Sequence, residues 1–345
     1  MLRTCGRLAA TFAALASMPG ASHACATCGC SLSTDAALGY ASDALWRASL
    51  QYDFIDQNRL RTGTHAIPPA EVAALNPDAG QEVEQRTLNR YLTLGVSYSP
   101  NADWNFKALV PYVDRGHTTY GASADPLTSD EVSGATIRGV GDVKLIASYQ
   151  GLLPTHNLGL QWGLKLPTGA YGGGPGADGG NVGRGYADFG SGPNRGSPVD
   201  TSLQPGTGST DLIVGAYFYQ AVSQDFDVFA NGQFQAAVAH RLHRPGADYR
   251  PGHSATLSVG LRYEADPALV PQFQVNVTHR SADRGFLADH VGTAGMAVYL
   301  SPGVTASVNA AVQLFGFVQW PVYSRLSGYQ LFPRWTASIG ASASF

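Results

Sequence analysis

The chain ends with Arg334-Trp-Thr-Ala-Ser-Ile-Gly-Ala-Ser-Ala-Ser-Phe345, a stretch in which apolar and small polar residues alternate strictly. A period of two places the apolar side chains on one face of a β-strand and the polar side chains on the other. One face of such a strand suits an apolar medium, and the other suits a small polar space. If the pattern recurs along the chain, it predicts a β-barrel that crosses a membrane.

The same alternation can be followed in twelve segments, each long enough for a tilted strand to cross a bilayer. The predicted strands are residues 44–55, 86–99, 103–113, 138–150, 157–166, 210–220, 225–240, 254–264, 271–280, 292–300, 304–314 and 335–345. The connections between them are alternately long and short, as outer loops and periplasmic turns are in such barrels. They include a short turn at residues 301–303, a long loop at 315–334, and the longest loop at 167–209.

These features predict an all-β fold, a transmembrane antiparallel up-and-down β-barrel of about twelve strands. An even number of strands places the N- and C-termini on one side, which we expect to be the periplasmic side. Aromatic residues gather at the strand ends assigned to that side, where their rings would form a girdle at the headgroup level. The predicted girdle residues are Trp46, Tyr98, Trp104, Tyr149, Phe226, Tyr263, Tyr299 and Phe345.

The N-terminus divides into two short regions ahead of the barrel. Arg3 and Arg7 precede an apolar stretch and a small-x-small site that ends at Ala24, which is typical of a cleaved signal peptide. The apolar stretch is shorter than the ~20 residues that a spanning helix needs. We therefore expect a signal peptide over residues 1–24, a periplasmic cysteine-containing tail over 25–43, and the barrel over 44–345.

The composition favours a barrel in the outer membrane of a Gram-negative bacterium. Charged residues make up 14% of the chain, whereas soluble domains contain about 25%. The formal net charge of −3 offers no basic surface for nucleic acid. The expected partners are the lipid bilayer, a small-molecule solute, and the barrel assembly machinery, which commonly reads a terminal strand that ends in an aromatic residue such as Phe345.

Three glycine-rich stretches follow one another in the middle of the chain. They are Gly139-Val-Gly-Asp142, Lys165-Leu-Pro-Thr-Gly169 and Leu203-Gln-Pro-Gly-Thr-Gly-Ser-Thr-Asp211. Together they resemble the outer-membrane channel family named for the meta-cleavage pathway of phenol degradation, the MetA-pathway family. The resemblance covers about a third of the chain and implies a barrel that passes small organic compounds, aromatic or hydrophobic. The residues themselves indicate bend or close-packing positions that shape the wall, or else a contact with the solute.

Some charged residues are predicted to face the interior, because they alternate in phase with the inward-facing residues of their strands. They are candidates for the lining and selectivity of the lumen. They are Lys107, Asp142, Lys144, Lys165, Asp211, Arg262 and Glu264. Such charges can pair across the lumen and hold it rigid, or they can select solutes, and the sequence leaves both interpretations open. The loop at residues 167–209 is long enough to fold into or over the opening, so we expect a constricted channel rather than a wide pore.

Cys25-Ala-Thr-Cys28-Gly-Cys30 holds the three cysteines of the expected mature chain. This spacing lets several sulfur atoms reach one soft ion, so Cys25, Cys28 and Cys30 form a candidate site for copper or zinc. The alternatives are a disulfide with one thiol left over, lipidation of Cys25, or no role. Three histidines of one predicted outer loop are weaker metal candidates: His240, His243 and His253.

The leading hypothesis is an outer-membrane channel for small solutes. The alternative is a metal-handling or redox-partner barrel that uses the cysteine tail, and the third is a closed structural barrel. The sequence contains no strained nucleophile turn and no spacing typical of a hydrolase, so we do not expect an enzyme. Copper or zinc at the cysteines is the single cofactor that the residues suggest.

Overall fold

The computed structural model describes residues 44–71, 83–120, 132–175 and 180–345. Within these ranges the chain is mainly β-structure. The strands are β1 (Trp46–Gly63), β2 (His65–Ala66), β3 (Glu84–Tyr98), β4 (Trp104–Thr119), β5 (Ser133–Val140), β6 (Lys144–Tyr149), β7 (Leu158–Lys165), β8 (Tyr171–Pro175), β9 (Asn181–Arg184), β10 (Ser209–Ala221), β11 (Phe226–His240), β12 (His243–Arg244), β13 (Ala247–Asp248), β14 (Ser254–Tyr263), β15 (Leu269–Arg280), β16 (Gly295–Ser307) and β17 (Val312–Ser344). One turn of 3₁₀-helix spans Thr201–Leu203. In these same ranges, no helix has the length and apolar character needed to span a membrane.

Eleven of the described strands form a closed antiparallel ring. Their order is β1, β3, β4, β6, β7, β10, β11, β14, β15, β16 and β17, and the pairing of β17 with β1 closes the ring. Strand β5 pairs with β4 beyond the end of β6, and β2 pairs with β1. Two small hairpins, β8–β9 and β12–β13, lie outside this sheet. The prediction of an all-β antiparallel closed barrel is confirmed.

Strand β17 is 33 residues long because it contains two halves that run in opposite directions. The first half, up to Leu326, pairs with β16, and the second half, up to Ser344, pairs with β1. The Ser344 N–H donates to the carbonyl of Ala311 at 2.8 Å, so the two halves lie side by side. Gly328, between them, has a φ of +55°, the left-handed conformation that a tight reversal requires.

Two connections predicted near the C-terminus are wrong. Residues 301–303 lie inside β16, and residues 315–334 lie inside β17. Pro302-Gly303 is typical of a turn, but here the ring of Phe317 packs over Gly303 and keeps it in the sheet. The real turn follows β16, where the Val308 N–H donates to the Val312 carbonyl at 2.9 Å.

Because the end of this strand was predicted wrongly, Tyr299 was also wrongly assigned to the girdle. Because the strand continues to Ser307, Tyr299 lies in its middle, faces inward and is buried. Its ring stacks on Phe332 at a centroid distance of 6.2 Å. Other predicted girdle residues do lie together in neighbouring pairs: Trp46–Tyr98 at 4.6 Å, Trp104–Tyr149 at 4.9 Å and Phe226–Tyr263 at 5.0 Å.

The outside of the barrel is apolar, whereas many of the inward-facing side chains are polar. On β14 the outward side chains Leu257, Val259 and Leu261 are exposed. On β15 the inward side chains Gln272, Gln274 and Asn276 are buried. This is the reverse of a soluble protein, in which exposed apolar surface of this extent is rare. The apolar residues of the alternation therefore face outward and the polar residues face inward, as the period of two predicts.

Candidate functional site

The three glycine-rich stretches meet at one point in the barrel wall, where Lys165, Asp142 and Asp211 form a buried charge cluster. The Lys165 Nζ lies 2.8 Å from Asp142 Oδ2 and 3.4 Å from Asp211 Oδ2. All three side chains are between 4% and 6% exposed. The structure thus brings together three of the seven charged residues that the sequence places in the lumen.

Groups of the long loop complete the hydrogen bonding of this cluster. The N–H groups of Gly169 and Thr207 donate to the two oxygens of Asp142 at 3.1 and 3.0 Å. Lys165 donates to the hydroxyl and the carbonyl of Ser209 at 3.1 Å, and also to the Thr207 hydroxyl. A buried charge is tolerated only when its hydrogen-bonding capacity is met in this way.

Asp211 has two further neutral donors. The Ser209 hydroxyl donates to Asp211 Oδ1 at 2.5 Å, and the Gln235 amide donates to Oδ2 at 2.6 Å. Two carboxylates share one ammonium group here, so the cluster carries an excess negative charge. These donors stabilise that charge within the wall.

The glycines around the cluster are positions of close packing. A Cβ on Gly206 would lie 2.5 Å from Asp142 Oδ1, and a Cβ on Gly169 would lie 2.9 Å from the Gly206 Cα. Asp142 itself occupies the break between β5 and β6. This agrees with the interpretation that the glycine-rich stretches shape the wall.

The long loop leaves the wall at this cluster, because β7 ends at Lys165 and β10 begins at Ser209. The loop then packs on the inward side of β5. There Phe189, Val199 and Leu203 form an apolar cluster with two inward residues of β5, Ala135 and Ile137. Residues of the loop therefore occupy the interior of the barrel beside β4 and β5.

Arg115 of β4 fastens this loop to the same side of the wall, because β4 is the strand paired with β5. Its guanidinium group donates to the Leu203 carbonyl, to Asn89 Oδ1 at 2.5 Å and to the Tyr91 hydroxyl at 2.7 Å. The loop also adds to the edge of β5, since the Gly134 N–H donates to the Ser191 carbonyl at 3.2 Å. The long loop is thus held at several points along its length.

A second apolar cluster joins the outer part of the same loop to its neighbours. Tyr171 of β8 packs with Leu242 and Tyr249, which come from the connection between β11 and β14. Val182 of β9 and Leu287 contact this group. The loops on this side of the barrel therefore pack against one another as well as against the wall.

The other predicted lumen charges lie on β4, on β6 and at the end of β14. Lys107 and Lys144 are half-buried, and Lys144 faces Lys165 across the β6–β7 pair. Arg262 and Glu264 pair at 2.9 Å near the opposite end of the barrel. Glu264 follows the last residue of β14, and there burial raises the pKa of its carboxyl, although Arg262 opposes the change.

Several interior polar residues were not predicted. Arg115 was missed because the predicted strand ended at residue 113, whereas β4 continues to Thr119. Another group is a row of amides on β15, of which Gln272 donates to Thr305 at 2.8 Å and Asn276 donates to Ser301 at 2.8 Å. Each of these residues alternates in phase with the inward-facing residues of its strand, and this pattern could have identified them.

The candidate metal ligands Cys25, Cys28 and Cys30 lie outside the described residues. Within the described ranges, no group of three or more His, Cys, Asp or Glu side chains is arranged to hold a metal ion. The His240 and His243 rings lie 6.4 Å apart at the end of β11.

The structure shares its fold with a bacterial outer-membrane channel of known structure. The COG4313 outer membrane channel from Pseudomonas putida F1 superposes with a TM-score of 0.61 at 13% identity, over 88% of this chain and 97% of that one. The β domain of the Bordetella autotransporter BrkA gives 0.48 at 12%, over 88% and 100%. The P. putida toluene transporter TodX gives 0.41 at 12%, over 89% and 92%. No protein-family model and no curated protein matches the sequence.

Proposed function

We propose that the protein is an outer-membrane channel for small organic solutes, aromatic or hydrophobic, whose constriction is formed by the loop at residues 167–209. The observation that carries this proposal is the loop packed inside a closed barrel with an apolar exterior. A closed ring leaves no strand edge unpaired, so such an exterior can lie in lipid. A loop that occupies part of the interior narrows the path that a solute would take through the barrel.

We further propose that the barrel crosses the membrane twelve times. Every pair in the ring is antiparallel, and a closed ring of antiparallel strands requires an even number. The reversal within β17 supplies the twelfth strand. An even number puts both ends of the barrel on one side, and the short turns, such as residues 222–225 and 308–311, support the periplasm as that side.

The lumen charges take two roles in this proposal. Lys165, Asp142 and Asp211 hold the two ends of the loop in the wall. We do not assign them a role in selectivity, because their hydrogen-bonding groups are already occupied by the protein. Lys107, Lys144, Arg262 and Glu264 are the candidates for selectivity. The last two lie near the girdle end of the lumen, where a passing solute would meet them.

The resemblance to the phenol-degradation channel family supports an organic solute. The fold shared with the P. putida channel supports a channel in the outer membrane. We also propose that residues 1–24 are removed on export and that the barrel assembly machinery reads the terminal strand ending at Phe345. The exported chain would then lie in the outer membrane with its cysteine tail in the periplasm.

Single-channel recording in planar bilayers tests the channel. We expect small conductance steps from the wild type and a severalfold larger conductance after deletion of residues 172–192. The double variant Phe189→Ser with Val199→Ser should move in the same direction, because it removes the loop's apolar contacts with β5. Phe189→Leu is the matched control and should conduct like the wild type. Absence of current from every variant would instead favour a closed structural barrel.

A metal-handling or redox-partner role for the cysteine tail is the second candidate. The observation that favours it is the C-x-x-C-x-C spacing at residues 25–30. Copper and zinc should be measured on the purified exported protein and on the double variant Cys28→Ser with Cys30→Ser. Near-zero metal in both proteins would remove the metal-handling role.

A further inference from the structure

The apolar band on the outside of the barrel ends in a row of charged side chains on β1, β3, β4 and β5. Each of these residues has the same parity as the outward apolar residues of its strand. The row consists of Asp56, Arg86, Arg90, Asp114 and Arg138. It therefore lies on the outside of the wall and does not belong to the lumen.

The height of this row can be worked out from the strands. Arg90 lies eight residues from Tyr98 along β3, and Asp114 lies ten residues from Trp104 along β4. A rise of ~3.3 Å per residue and a tilt of about 40° place the row roughly 20–25 Å from the aromatic girdle. That distance matches the ~25 Å height of the apolar band in membrane barrels. The row thus stands at the level of the opposite headgroups.

The centre of the row has more hydrogen-bond donors than acceptors. Asp114 Oδ1 accepts from Arg90 Nη2 and from Arg138 Nε, both at 3.2 Å. The Arg138 side chain is 61% exposed, and its two terminal nitrogens have no acceptor among the described residues. The Arg90 Nε is buried without an acceptor. One carboxylate therefore holds two guanidinium groups side by side and leaves the terminal nitrogens of exposed Arg138 available, whereas the Arg90 Nε is enclosed by the protein.

The surroundings add positive charge. Arg86 and Asp56 form a two-point ion pair at 2.7 and 2.9 Å, so they neutralise each other. On the next strand pair, Arg59 of β1 lies opposite Phe332, two residues from Arg334 of β17. The row and its flank contain more arginines than aspartates, so this sector of the rim attracts anions.

We propose that Arg90 and Arg138 bind a phosphate group of the phosphorylated glycolipid in the outer leaflet, and that this phosphate competes with Asp114 for their N–H donors. Arginine binds phosphate through parallel N–H donors, and such bonds are strong where the headgroup layer limits access of water. The inference rests on the proposed outer-membrane location and adds a lipid partner to it.

The test measures the thermal unfolding midpoint of the full-length protein in neutral detergent micelles as lipid A is added. We expect lipid A to raise the midpoint of the wild type. The double variant Arg90→Gln with Arg138→Gln should require about tenfold more lipid A for the same shift. Arg244→Gln, which removes an exposed arginine on β12, is the matched control and should behave like the wild type.

A further variant separates lipid binding from a purely structural ion pair. Asp114→Asn frees both guanidinium groups, so it should bind lipid A more tightly than the wild type does. Weaker binding by folded Asp114→Asn would overturn the proposal, as would unchanged binding by the double variant. Equal protection by dephosphorylated lipid A, or by inorganic phosphate at the same phosphate concentration, would also overturn it. Conductance in the same preparations reports separately on the channel, so the two proposals can fail independently.

Discussion

Replacing Lys165 by methionine should lower the free energy of unfolding of the barrel by about 3–5 kcal/mol, the usual cost of leaving a buried charge without its partner. The reason lies in the geometry of the cluster. Asp142 and Asp211 are almost fully buried, and the Lys165 ammonium is their shared counter-ion at 2.8 and 3.4 Å. Without it, two carboxylates would remain close together in the wall without the ammonium group that lies between them.

The measurement is urea unfolding of the protein in lipid vesicles, followed by the fluorescence of its five tryptophans. Lys144→Met is the matched control, because Lys144 faces Lys165 on the neighbouring strand but is half-buried, and it should cost about 1 kcal/mol or less. The triple variant Lys165→Met, Asp142→Asn, Asp211→Asn should recover at least half of the loss, since no unpaired charge remains. Equal costs for Lys165→Met and Lys144→Met would refute the reasoning.

Other changes test the wall, the loop and the girdle end of the barrel. Gly303→Ala should destabilise the barrel by about 1–3 kcal/mol, because its methyl group would clash with the Phe317 ring. Gly116→Ala should leave the stability unchanged, because an added methyl group there meets open space. Equal urea midpoints for the two variants would contradict this reasoning. Arg115→Gln should release the loop and accelerate its cleavage by trypsin, whereas an unchanged cleavage rate would show that the contact does not hold the loop. The raised pKa of Glu264 means that ionisation costs more in the folded protein, so this group's contribution to stability falls as the pH rises above about 4.5. Glu264→Gln should therefore gain stability relative to the wild type between pH 4 and pH 7, and a difference that does not change with pH would count against this assignment.

The alternation of the strands made the barrel predictable from sequence, because a two-sided wall between lipid and a polar interior imposes that period directly. The same signal failed at Pro302-Gly303. There the local preference for a turn was overridden by the Phe317 ring, which comes from a strand that the prediction treated as a loop. Contacts between strands decide such cases, and no local pattern records them.

The candidate site was predictable in part for the same reason. Parity placed Lys165, Asp142 and Asp211 inside, but their meeting depends on how the loop returns to the wall between Gly169 and Thr207. The inward course of the loop depends on long-range packing on β5, which has no sequence signature of its own. Arg115 was missed because the predicted strand ended six residues before the end of β4.

The most direct test of the central claim is the depth-dependent quenching of single labels on β14 in reconstituted vesicles. Cysteines would replace Leu257, Ser258 and Val259 in turn, in a background where the native cysteines are serines, and each would carry a fluorescent bimane group. Our account predicts that brominated lipid quenches the labels at residues 257 and 259 strongly and the label at 258 weakly. Equal quenching at all three positions, or none at any, would contradict a wall with lipid on one side and a polar interior on the other.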